Sequence, residues 1–359
     1  MQLHAGFTFT DAAAIVPYLA RLGITHLYCS PYLQAAAGST HGYDVTDHSR
    51  VSGELGGAEG HALLCRALEE NGMGHVLDMV PNHMAISDRS NAWWWDVLKN
   101  GTGSRYAPYF DIDWDPPEAA LRRNILVPIL GDHYGRVLEA GELRLAVEDG
   151  EVVLRYHEHV LPIAPGTAAP EGLDGINADP DALHEVLERQ HYRVAFWRAG
   201  DRELNYRRFF DVKTLAALRV EDERVFEDVH ALVLSMIERG RLDGLRIDHI
   251  DGLRDPREYL ERLQGRAPGA YIVVEKILEA GEELPAEWPV AGTTGYDFLN
   301  LVNGLFVDGA AEKAMSDVYL EFTRQPADLA ETIRAKKLFI MREVLASDVE
   351  RLTALLVEV

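Results

Sequence analysis

The fold is decided by two segments, Gly244-Leu-Arg-Ile-Asp248-His-Ile-Asp251-Gly252 and Tyr271-Ile-Val-Val-Glu275-Lys276. Each has the pattern of an apolar strand that ends on a carboxylate, and the sequence between them is long enough for one helix. In a barrel of parallel strands, the carboxyl ends of neighbouring strands meet at one rim, where such folds carry their chemistry. We therefore expect Asp248 and Glu275 to lie side by side. A pair of carboxylates a few ångströms apart is what the cleavage of a glycosidic bond requires.

Helices and strands also alternate in the first part of the chain. A helix that begins near Thr10-Asp11 is followed by a strand at residues 25–30, a long polar loop at 34–57, a second amphipathic helix and a nearly continuous apolar strand at 75–80. Strands that are apolar along their whole length and are separated by helices indicate a parallel sheet covered on both faces. The sequence therefore predicts an α/β fold.

The alternation breaks after the third strand, which divides the chain into three predicted parts. Residues 1–84 form the first part of a barrel with strands one to three, residues 85–220 form an inserted subdomain, and residues 221–359 contain strands four to six and a C-terminal helical segment. That segment runs from about Ala327 to Val359, and its helical period places these residues on one apolar stripe: Leu338, Met341, Leu345, Val349 and Leu352. Six strands result if residues 1–4 are the remnant of the first and residues 293–299 are a weak sixth, whereas a closed barrel of this type has eight. We predict an incomplete (β/α)8 TIM-type barrel with a subdomain inserted after strand three.

Three patterns stand out in the inserted region. The turn at Glu148-Asp149-Gly150 predicts a β-hairpin. The run Trp93–Trp95 can stack on a sugar ring, but we expect at least two of the three side chains to lie in the core. In Asn205-Tyr-Arg-Arg-Phe-Phe210, either Arg207 or Arg208 can reach a substrate, although a solvated or salt-bridged position is the better interpretation.

The composition is that of a globular protein with a strong negative charge. The chain has 359 residues, 47% of them hydrophobic, and a formal net charge of −23. This size suits a large barrel with an insertion, or two domains. A strongly negative protein repels a phosphate backbone, which argues against nucleic acid or an anionic membrane as a partner. A neutral substrate is expected instead.

The two cysteines, Cys29 and Cys65, lie in an apolar strand pattern and on the apolar face of a helix. We expect buried free thiols, because no CxxC spacing accompanies them, and a disulfide or a metal pair is much less favoured. The N-terminal residues lack the pattern of a secretory signal, and no apolar run has the length of a membrane span. A cytoplasmic location is therefore expected.

The carboxylates at the strand ends have neighbours that suit two different roles. Arg246 and Asp248 are two residues apart on a strand and point to the same side, and a cation beside a carboxylate lowers its pKa and keeps a nucleophile ionised. A surface ion pair is the alternative, which the buried pattern of residues 244–248 disfavours. Glu275 follows an apolar run, a poorly solvated setting in which a general acid keeps its proton. A structural ion pair with Lys276 is an equally good interpretation.

Two further segments offer groups that can bind a sugar. Asp78-Met-Val-Pro-Asn82-His83 ends the third strand, where a neutral imidazole and an amide can hydrogen-bond hydroxyl groups and Asp78 supports the site. A lone histidine is nevertheless more often structural. His41-Gly-Tyr43-Asp44 lies in the long loop, where the aromatic ring can stack on a sugar and the acid can orient a neighbour. Neither segment identifies a function by itself.

The order of these segments resembles that of the alpha-amylase superfamily (glycoside hydrolase family 13), whose shared regions lie on barrel strands three, four and five. Residues 78–83 are similar to the first shared region, residues 244–248 to the second and residues 273–275 to the third. Within the superfamily, the chain resembles the maltooligosyltrehalose synthases over essentially its whole length, most clearly at residues 3–9, 39–44, 80–84, 91–96, 205–210, 244–252, 274–278 and 292–297. The resemblance implies a longer family chain, of which this sequence matches the N-terminal half.

The resemblance also implies a role for each candidate residue. Asp248 matches the nucleophile and Glu275 the acid/base of the superfamily. Arg246 and His83 match residues that hold the sugar at the cleavage site, and Tyr43 matches the aromatic residue under its ring. The remaining candidates match groups that support the site: Asp44, Asn82 and His249.

For the maltooligosyltrehalose synthases, the implied reaction is an isomerisation in trehalose biosynthesis. The α-1,4 linkage at the reducing end of a maltooligosaccharide becomes α,α-1,1 by a retaining double displacement, with no cofactor and no metal. Two alternatives remain open. The same carboxylates with a wetter leaving-group site would hydrolyse α-glucan, as an amylase does. The superfamily's third carboxylate, an Asp on strand seven, has no counterpart in this sequence. The second alternative is therefore that the isolated chain is an inactive or sugar-binding half. A separate polypeptide that supplies the C-terminal half is then a candidate partner.

Overall fold

The computed structural model describes residues 1–87, 89–279, 281–325 and 328–358. The strands within these residues are β1 His26–Cys29, β2 Leu33–Ala35, β3 Val45–Val51, β4 Gly74–Met79, β5 His83–Ala85, β6 Ile125–Leu130, β7 Arg144–Glu148, β8 Glu151–Tyr156, β9 His159–Pro162, β10 Tyr192–Phe196, β11 Arg208–Phe209, β12 Val212–Ala217, β13 Gly244–Ile247, β14 Tyr271–Val274 and β15 Gly292–Thr293. The α-helices are α1 Phe9–Arg21, α2 Gly57–Glu70, α3 Ala92–Asn100, α4 Tyr134–Glu139, α5 Leu173–Ala178, α6 Pro180–Leu187, α7 Glu223–Glu238, α8 Pro256–Arg266, α9 Tyr296–Gly304, α10 Glu312–Thr323, α11 Leu329–Phe339 and α12 Ala346–Glu358.

The central sheet has the parallel strand order β1-β4-β13-β14-β15. Neighbouring strands are in register, for example Cys29 with Leu77 and Ile247 with Val274. All four of these side chains are fully buried, as expected for strands that are apolar along their whole length. The α/β fold with a parallel sheet is therefore confirmed. Within the described residues, these strands form an open row and no closed ring.

The two outer positions of the predicted barrel differ from expectation. The carbonyl of Met1 accepts from the Ser30 amide at 2.9 Å, and its amino group donates to the Tyr28 carbonyl at 2.5 Å. This is a parallel pairing with β1, but the described residues 1–4 form no strand of their own. The strand predicted at 293–299 is the shorter β15, because α9 begins within that range.

The segment 34–57, predicted as one polar loop, contains most of an antiparallel pair. Strand β2 pairs with β3 in an irregular register, with Leu33 opposite Val51 and Ala35 opposite Val45. These four side chains are buried, whereas the middle of β3 carries polar residues. The prediction was wrong here because the composition of the segment conceals the short apolar ends of its strands.

Helices α1 and α2 pack against each other and cover part of the sheet. The first helix begins after Thr8, whose amide donates to the Asp11 carboxylate at 2.8 Å, an arrangement that satisfies the free end of the helix. Phe9 and Val16 of this helix are fully buried. Burial of side chains of this size stabilises a fold by about 2 kcal/mol each.

The described part of residues 85–220 forms small sheets, one of which includes β5 at the boundary with the first part. Strand β6 pairs with β10, β7 with β8 and β9, and β12 joins β11 to β5. The hairpin predicted at Glu148-Asp149-Gly150 is confirmed as the turn between β7 and β8. Trp94 is buried and Trp93 packs against the core, which agrees with the expectation for at least two of the three tryptophans. The division of the chain into three parts stays a prediction.

The C-terminal helices are largely exposed. Helices α11 and α12 are separated by a π-helical turn at Ile340–Val344, so the apolar stripe predicted from Leu338 to Leu352 does not lie on one continuous helix. Ala327 and Val359, the ends of the predicted helical segment, lie outside the described residues. No helix in the described ranges combines the length and the hydrophobicity needed to cross a bilayer.

Candidate active site

The carboxyl ends of β13 and β14 place Asp248 beside Glu275, as the strand pattern predicts. Ile247 lies opposite Val274, and the amide of Glu275 continues this pairing by donating to the Ile247 carbonyl at 2.9 Å. Asp248 and Glu275 follow directly after these two residues, so their backbones are neighbours on strands about 4.8 Å apart. Both side chains line one cavity.

One guanidinium group joins the carboxylates of the site. Nη1 of Arg246 lies 2.8 Å from Oδ1 of Asp78 and 2.7 Å from Oδ1 of Asp248, and Nη2 lies 3.3 Å from Oε1 of Glu275. The side chains of Asp78 and Asp248 are 0% and 8% exposed, and that of Glu275 is 25% exposed. The alternative of a solvated surface ion pair is therefore wrong. A single buried cation faces three carboxylates, and its planar geometry fixes their relative positions.

The protonation of Asp248 departs from expectation. Burial raises the pKa of Asp248 to about 7; Arg246 opposes this shift, and Asp78 and Glu275 add to it. Arg246 thus lowers the pKa of Asp248 as predicted, but the prediction that the pKa falls below its ordinary value is wrong. The reason is that one guanidinium is shared among three carboxylates, while burial acts on each of them. Burial therefore favours the protonated form of Asp248, and Arg246 opposes it.

Glu275 is held by a backbone donor from the loop after β13. Its Oε2 accepts from the amide of His249 at 2.8 Å. His249 adopts a left-handed conformation with φ 49°, which is uncommon for a residue other than glycine. The alternative ion pair of Glu275 with Lys276 is wrong, since Nζ of Lys276 lies 3.3 Å from Asp251 and 3.0 Å from Glu282.

Asp78 supports the site from the neighbouring strand β4. Its Oδ1 faces Arg246, while its Oδ2 accepts from the hydroxyl groups of Tyr43, at 2.8 Å, and of Tyr28. Burial raises the pKa of Asp78, and the guanidinium and the two hydroxyl groups lower it. Both oxygens are engaged, which agrees with the supporting role expected for this residue.

A cavity of about 660 Å³ opens above these groups, a volume in the range of small-molecule sites. Six of the predicted site residues line it: Tyr43, His83, Arg246, Asp248, His249 and Glu275. The sequence interpretation misses the rest of its lining: His41, Phe209, Phe210, Leu215, Asp251, Ile277 and Tyr296. The predicted residues are therefore brought together at one place, with an apolar wall that was not expected.

Asn82 and Asp44, the other two predicted site residues, lie outside the cavity lining in the described structure. Oδ1 of Asn82 accepts from Nη1 of Arg207 at 2.9 Å, and Arg207 is also paired with Asp111 at 2.8 Å. Arg207 therefore has the salt-bridged position that the sequence favours. Asp44 accepts a hydrogen bond from the hydroxyl of Ser39 in the loop that carries Tyr43.

His83 lines this cavity with a buried imidazole ring. Its ring is buried, with Nδ1 lying 3.3 Å from Nδ2 of Asn82. Its Nε2 has no hydrogen-bond partner among the described residues. Burial lowers the pKa of His83 to about 3, and His249 acts in the same direction, so the ring is neutral. A neutral imidazole can form a hydrogen bond with a sugar hydroxyl.

Phe209 and Phe210 form an aromatic wall beside the carboxylates. The ring of Phe209 lies 4.4 Å from that of His83, and the ring of Phe210 lies 5.0 Å from that of His249. Phe210 is exposed and has a left-handed backbone with φ 49°, so its ring is free to cover a sugar face. The signal for it was present in residues 205–210, where two consecutive aromatics follow the two arginines.

The family model described as the catalytic domain of alpha amylase matches residues 13–267, which is more than half of the chain. This chain belongs to the alpha-amylase family. The matched range includes β4 and β13 with Asp78, Arg246 and Asp248, and it ends before β14 and Glu275.

Relatives of this alpha-amylase family chain include a putative maltooligosyl trehalose synthase of Mycobacterium tuberculosis, 43% identical over 353 residues, which are 97% of this chain and 42% of that protein. The solved structure of maltooligosyltrehalose synthase from Arthrobacter ramosus is 46% identical with a TM-score of 0.88, over 98% of this chain and 44% of that one. The structure described as a hypothetical maltooligosyl trehalose synthase of Sulfolobus tokodaii is 38% identical with a TM-score of 0.84, over 99% and 45%.

These comparisons confirm the resemblance to maltooligosyltrehalose synthases across nearly all of the chain. They also show that the chain spans less than half the length of these relatives.

Proposed function

We propose that this chain carries the catalytic pair of an enzyme that converts the reducing-end α-1,4 linkage of a maltooligosaccharide into an α,α-1,1 linkage, a step of trehalose biosynthesis. One observation supports the chemistry above all: Asp248 and Glu275 contact the same guanidinium and line the same cavity. The identity of 43% and 46% to maltooligosyltrehalose synthases supports the choice of reaction.

The proposed reaction is a double displacement. Glu275 donates a proton to the glycosidic oxygen while Asp248 attacks the anomeric carbon, so the old C–O bond breaks, glucose is released into the cavity and a glycosyl-enzyme forms. The glucose turns over, and its anomeric hydroxyl attacks the same carbon while Glu275 takes up the hydroxyl proton. The bond to Asp248 breaks as the new linkage forms, and the chain keeps all its glucose units. Retaining enzymes need carboxyl groups about 5 Å apart, which agrees with positions on adjacent strands.

Arg246 favours the charged form of Asp248 that attacks the anomeric carbon, and so opposes the burial that raises the pKa of Asp248. Nη1 of Arg246 lies 2.7 Å from Asp248, whereas Nη2 lies 3.3 Å from Glu275. The closer ion pair stabilises the charged form of Asp248 more strongly.

Retention of the released glucose separates isomerisation from hydrolysis. Water that reaches the glycosyl-enzyme would give free glucose from the same carboxylates. Phe209, Phe210 and Ile277 line the cavity beside them, and apolar side chains at this position limit the access of water while a sugar ring is bound. The apolar wall therefore supports isomerisation as the first candidate, with hydrolysis as the outcome that the assay must exclude.

We further propose that the sheet belongs to a (β/α)8 TIM-type barrel, with residues 85–220 as the inserted subdomain, that is completed by a segment outside this sequence. The segment is either a continuation of the chain or a separate polypeptide. Apolar side chains around α9 and α10 support this, because Phe306 is 86% exposed and Phe322 89% exposed, with Phe298 and Leu301 also exposed. Proteins rarely leave such a surface uncovered. The completing segment would cover it and contribute the third carboxylate that the superfamily resemblance implies.

The products formed from maltopentaose test both proposals. The chain is assayed alone and together with a polypeptide that corresponds to the C-terminal part of its relatives. Loss of reducing ends without shortening supports isomerisation, whereas free glucose as the main product contradicts it. Turnover by the chain alone contradicts the need for a completing segment.

Two substitutions assign the catalytic residues in the active assembly. Asp248→Asn and Glu275→Gln are each expected to lower kcat by roughly 10³-fold or more, because they remove the nucleophile and the acid/base. Glu282→Gln is the matched control: it removes an exposed carboxylate that pairs with Lys276 in the same loop, and it is expected to leave kcat unchanged. Full activity of either of the first two variants would show that the catalytic pair lies elsewhere.

A further inference from the structure

A second cluster of reactive side chains lies near the amino end of β4, away from the carboxylates. His61 and Cys65 are four residues apart on α2 and so share a face of that helix, and His75 lies at the start of β4. One ligand atom from each of the three lies within 4.8 Å of the other two. Both cysteines are free; Cys29 is buried as expected, but Cys65 is only partly buried.

The hydrogen bonds of the two histidines leave nitrogen lone pairs available. Nδ1 of His75 lies 3.2 Å from the carbonyl of Arg241, to which it can only donate, so the lone pair of His75 is on Nε2. That Nε2 is buried and has no hydrogen-bond partner among the described residues. Nε2 of His61 lies 3.2 Å from the hydroxyl of Tyr32; in the tautomer in which this nitrogen donates, the lone pair of His61 is on Nδ1. Metal-binding histidines are commonly held in this way, with one nitrogen anchored and the other free.

We propose that His61, Cys65 and His75 bind a Zn²⁺ ion, with water as the fourth ligand. Zn²⁺ prefers tetrahedral sites of nitrogen and sulfur, in which neighbouring ligand atoms are about 3.3–3.6 Å apart. Sγ of Cys65 already lies 3.8 Å from Nδ1 of His61. The sequence argued against a metal because it lacks a CxxC spacing, whereas these ligands come from a helix and a strand.

The surroundings of the cluster fit a divalent cation. A surface cavity of about 540 Å³ is lined by Cys65 and His75, which provides an entrance and space for a water ligand. Arg241, which hydrogen-bonds Cys65 and lines the same cavity, has to turn aside. The carboxylate of Asp243, 2.7 Å from the His75 amide, offsets the added charge.

Titration of the purified chain with Co²⁺, followed by displacement with Zn²⁺, tests the site. We expect one ion per chain, a thiolate-to-cobalt charge-transfer absorption and the visible bands of tetrahedral cobalt. Cys65→Ser is expected to abolish the charge-transfer absorption and to weaken binding on the order of a hundredfold or more, because changes outside the ligand set already weaken zinc sites by 10–100-fold. Cys29→Ser changes the other thiol and is expected to keep both the absorption and the affinity.

Three measurements guard against a variant that fails to fold. Circular dichroism compares the secondary structure of Cys65→Ser with that of the unchanged chain. In the unchanged chain, bound Zn²⁺ is expected to protect Cys65 from alkylation, and metal binding is expected to release a proton, because the thiol must ionise. The proposal is overturned if the unchanged chain shows no charge-transfer absorption, if the absorption persists in Cys65→Ser, or if Zn²⁺ leaves the alkylation of Cys65 unaffected.

Discussion

Replacement of Asp248 by Asn is expected to stabilise the fold above neutral pH, although it removes the proposed nucleophile. Burial raises the pKa of Asp248 from an ordinary value of 3.8 to about 7. Between these two pKa values, the folded protein therefore binds more protons at this group than the unfolded chain does. The group contributes its full stabilisation below pH 3.8, the pKa in the unfolded chain, and this stabilisation is lost as the pH rises toward 7. Each pH unit within this window changes the free energy of unfolding by about 1.4 kcal/mol. Between pH 5 and pH 8, the free energy of unfolding of the wild type thus falls by about 2 to 3 kcal/mol through this group, whereas that of the Asn variant does not.

Thermal melting of the two proteins at pH 5 and pH 8 measures this effect. Asn resembles a protonated carboxyl group, so similar melting temperatures are expected at pH 5, and the variant is expected to melt higher at pH 8 by on the order of 5 °C. The difference in melting temperature between the two proteins is the quantity to compare, because buried histidines change the stability of both proteins with pH. Burial lowers the pKa of His48 to about 4 and that of His230 to about 3, so both proteins lose stability as the pH falls below about 6.5, where unfolded histidines take up protons.

Asp251→Asn is the matched control for this experiment. Asp251 lies three residues after Asp248, but its side chain is 54% exposed and pairs with Lys276. Loss of one exposed ion pair is expected to change the melting temperature little at either pH. If the melting temperature of Asp248→Asn does not rise relative to that of the wild type between pH 5 and pH 8, burial does not control the protonation of Asp248 and the reasoning is refuted.

Two further substitutions test how the site is built. Arg246→Met leaves two carboxylates buried without their cation and is expected to lower the free energy of unfolding by about 3 to 5 kcal/mol; an unchanged midpoint in urea, followed by circular dichroism, would contradict this. Gly42 supports the loop that carries Tyr43, with φ +83° and a position where an added Cβ would lie 2.0 Å from the Pro31 carbonyl oxygen. Gly42→Ala is therefore expected to cost about 2 kcal/mol or more. Gly38→Ala is the control, since φ is +73° and the described structure has no atom within 4 Å of the added Cβ. It is expected to lower the free energy of unfolding by about 1 kcal/mol, and equal losses for both variants would show that the contact with the Pro31 carbonyl does not matter.

The position of the carboxylate pair could be predicted from the sequence because two local rules are sufficient. An apolar run without alternation indicates a strand buried on both faces, and parallel strands joined by a helix have their carboxyl ends at one rim. Asp248 and Glu275 follow such runs directly, so their adjacency requires no knowledge of the remaining fold. The hairpin at residues 148–150 was predictable for a similar reason, since its turn chemistry is local.

What the sequence could not supply depends on contacts between distant segments. The sharing of Arg246 among three carboxylates involves three strands, and this sharing together with burial reverses the expected shift in the pKa of Asp248. The His61, Cys65 and His75 cluster joins a helix to a strand whose pairing sets the distance. Phe210 enters the site through a left-handed backbone conformation that residue type does not favour.

The same imbalance of charge that weakens the folded protein is useful in the proposed reaction. One guanidinium cannot neutralise Asp78, Asp248 and Glu275 together, so the ionised site keeps an excess of negative charge in poorly solvated surroundings. Burial raises the pKa of Asp248, and the charges of Asp78 and Glu275 add to this shift. Positive charge develops on the sugar ring in the oxocarbenium-like transition state of glycoside cleavage. The excess negative charge stabilises a neutral maltooligosaccharide only a little in its ground state, whereas it stabilises the positively charged transition state much more. Such differential stabilisation raises the rate, and it is the physical reason why a cluster that destabilises the fold would be kept.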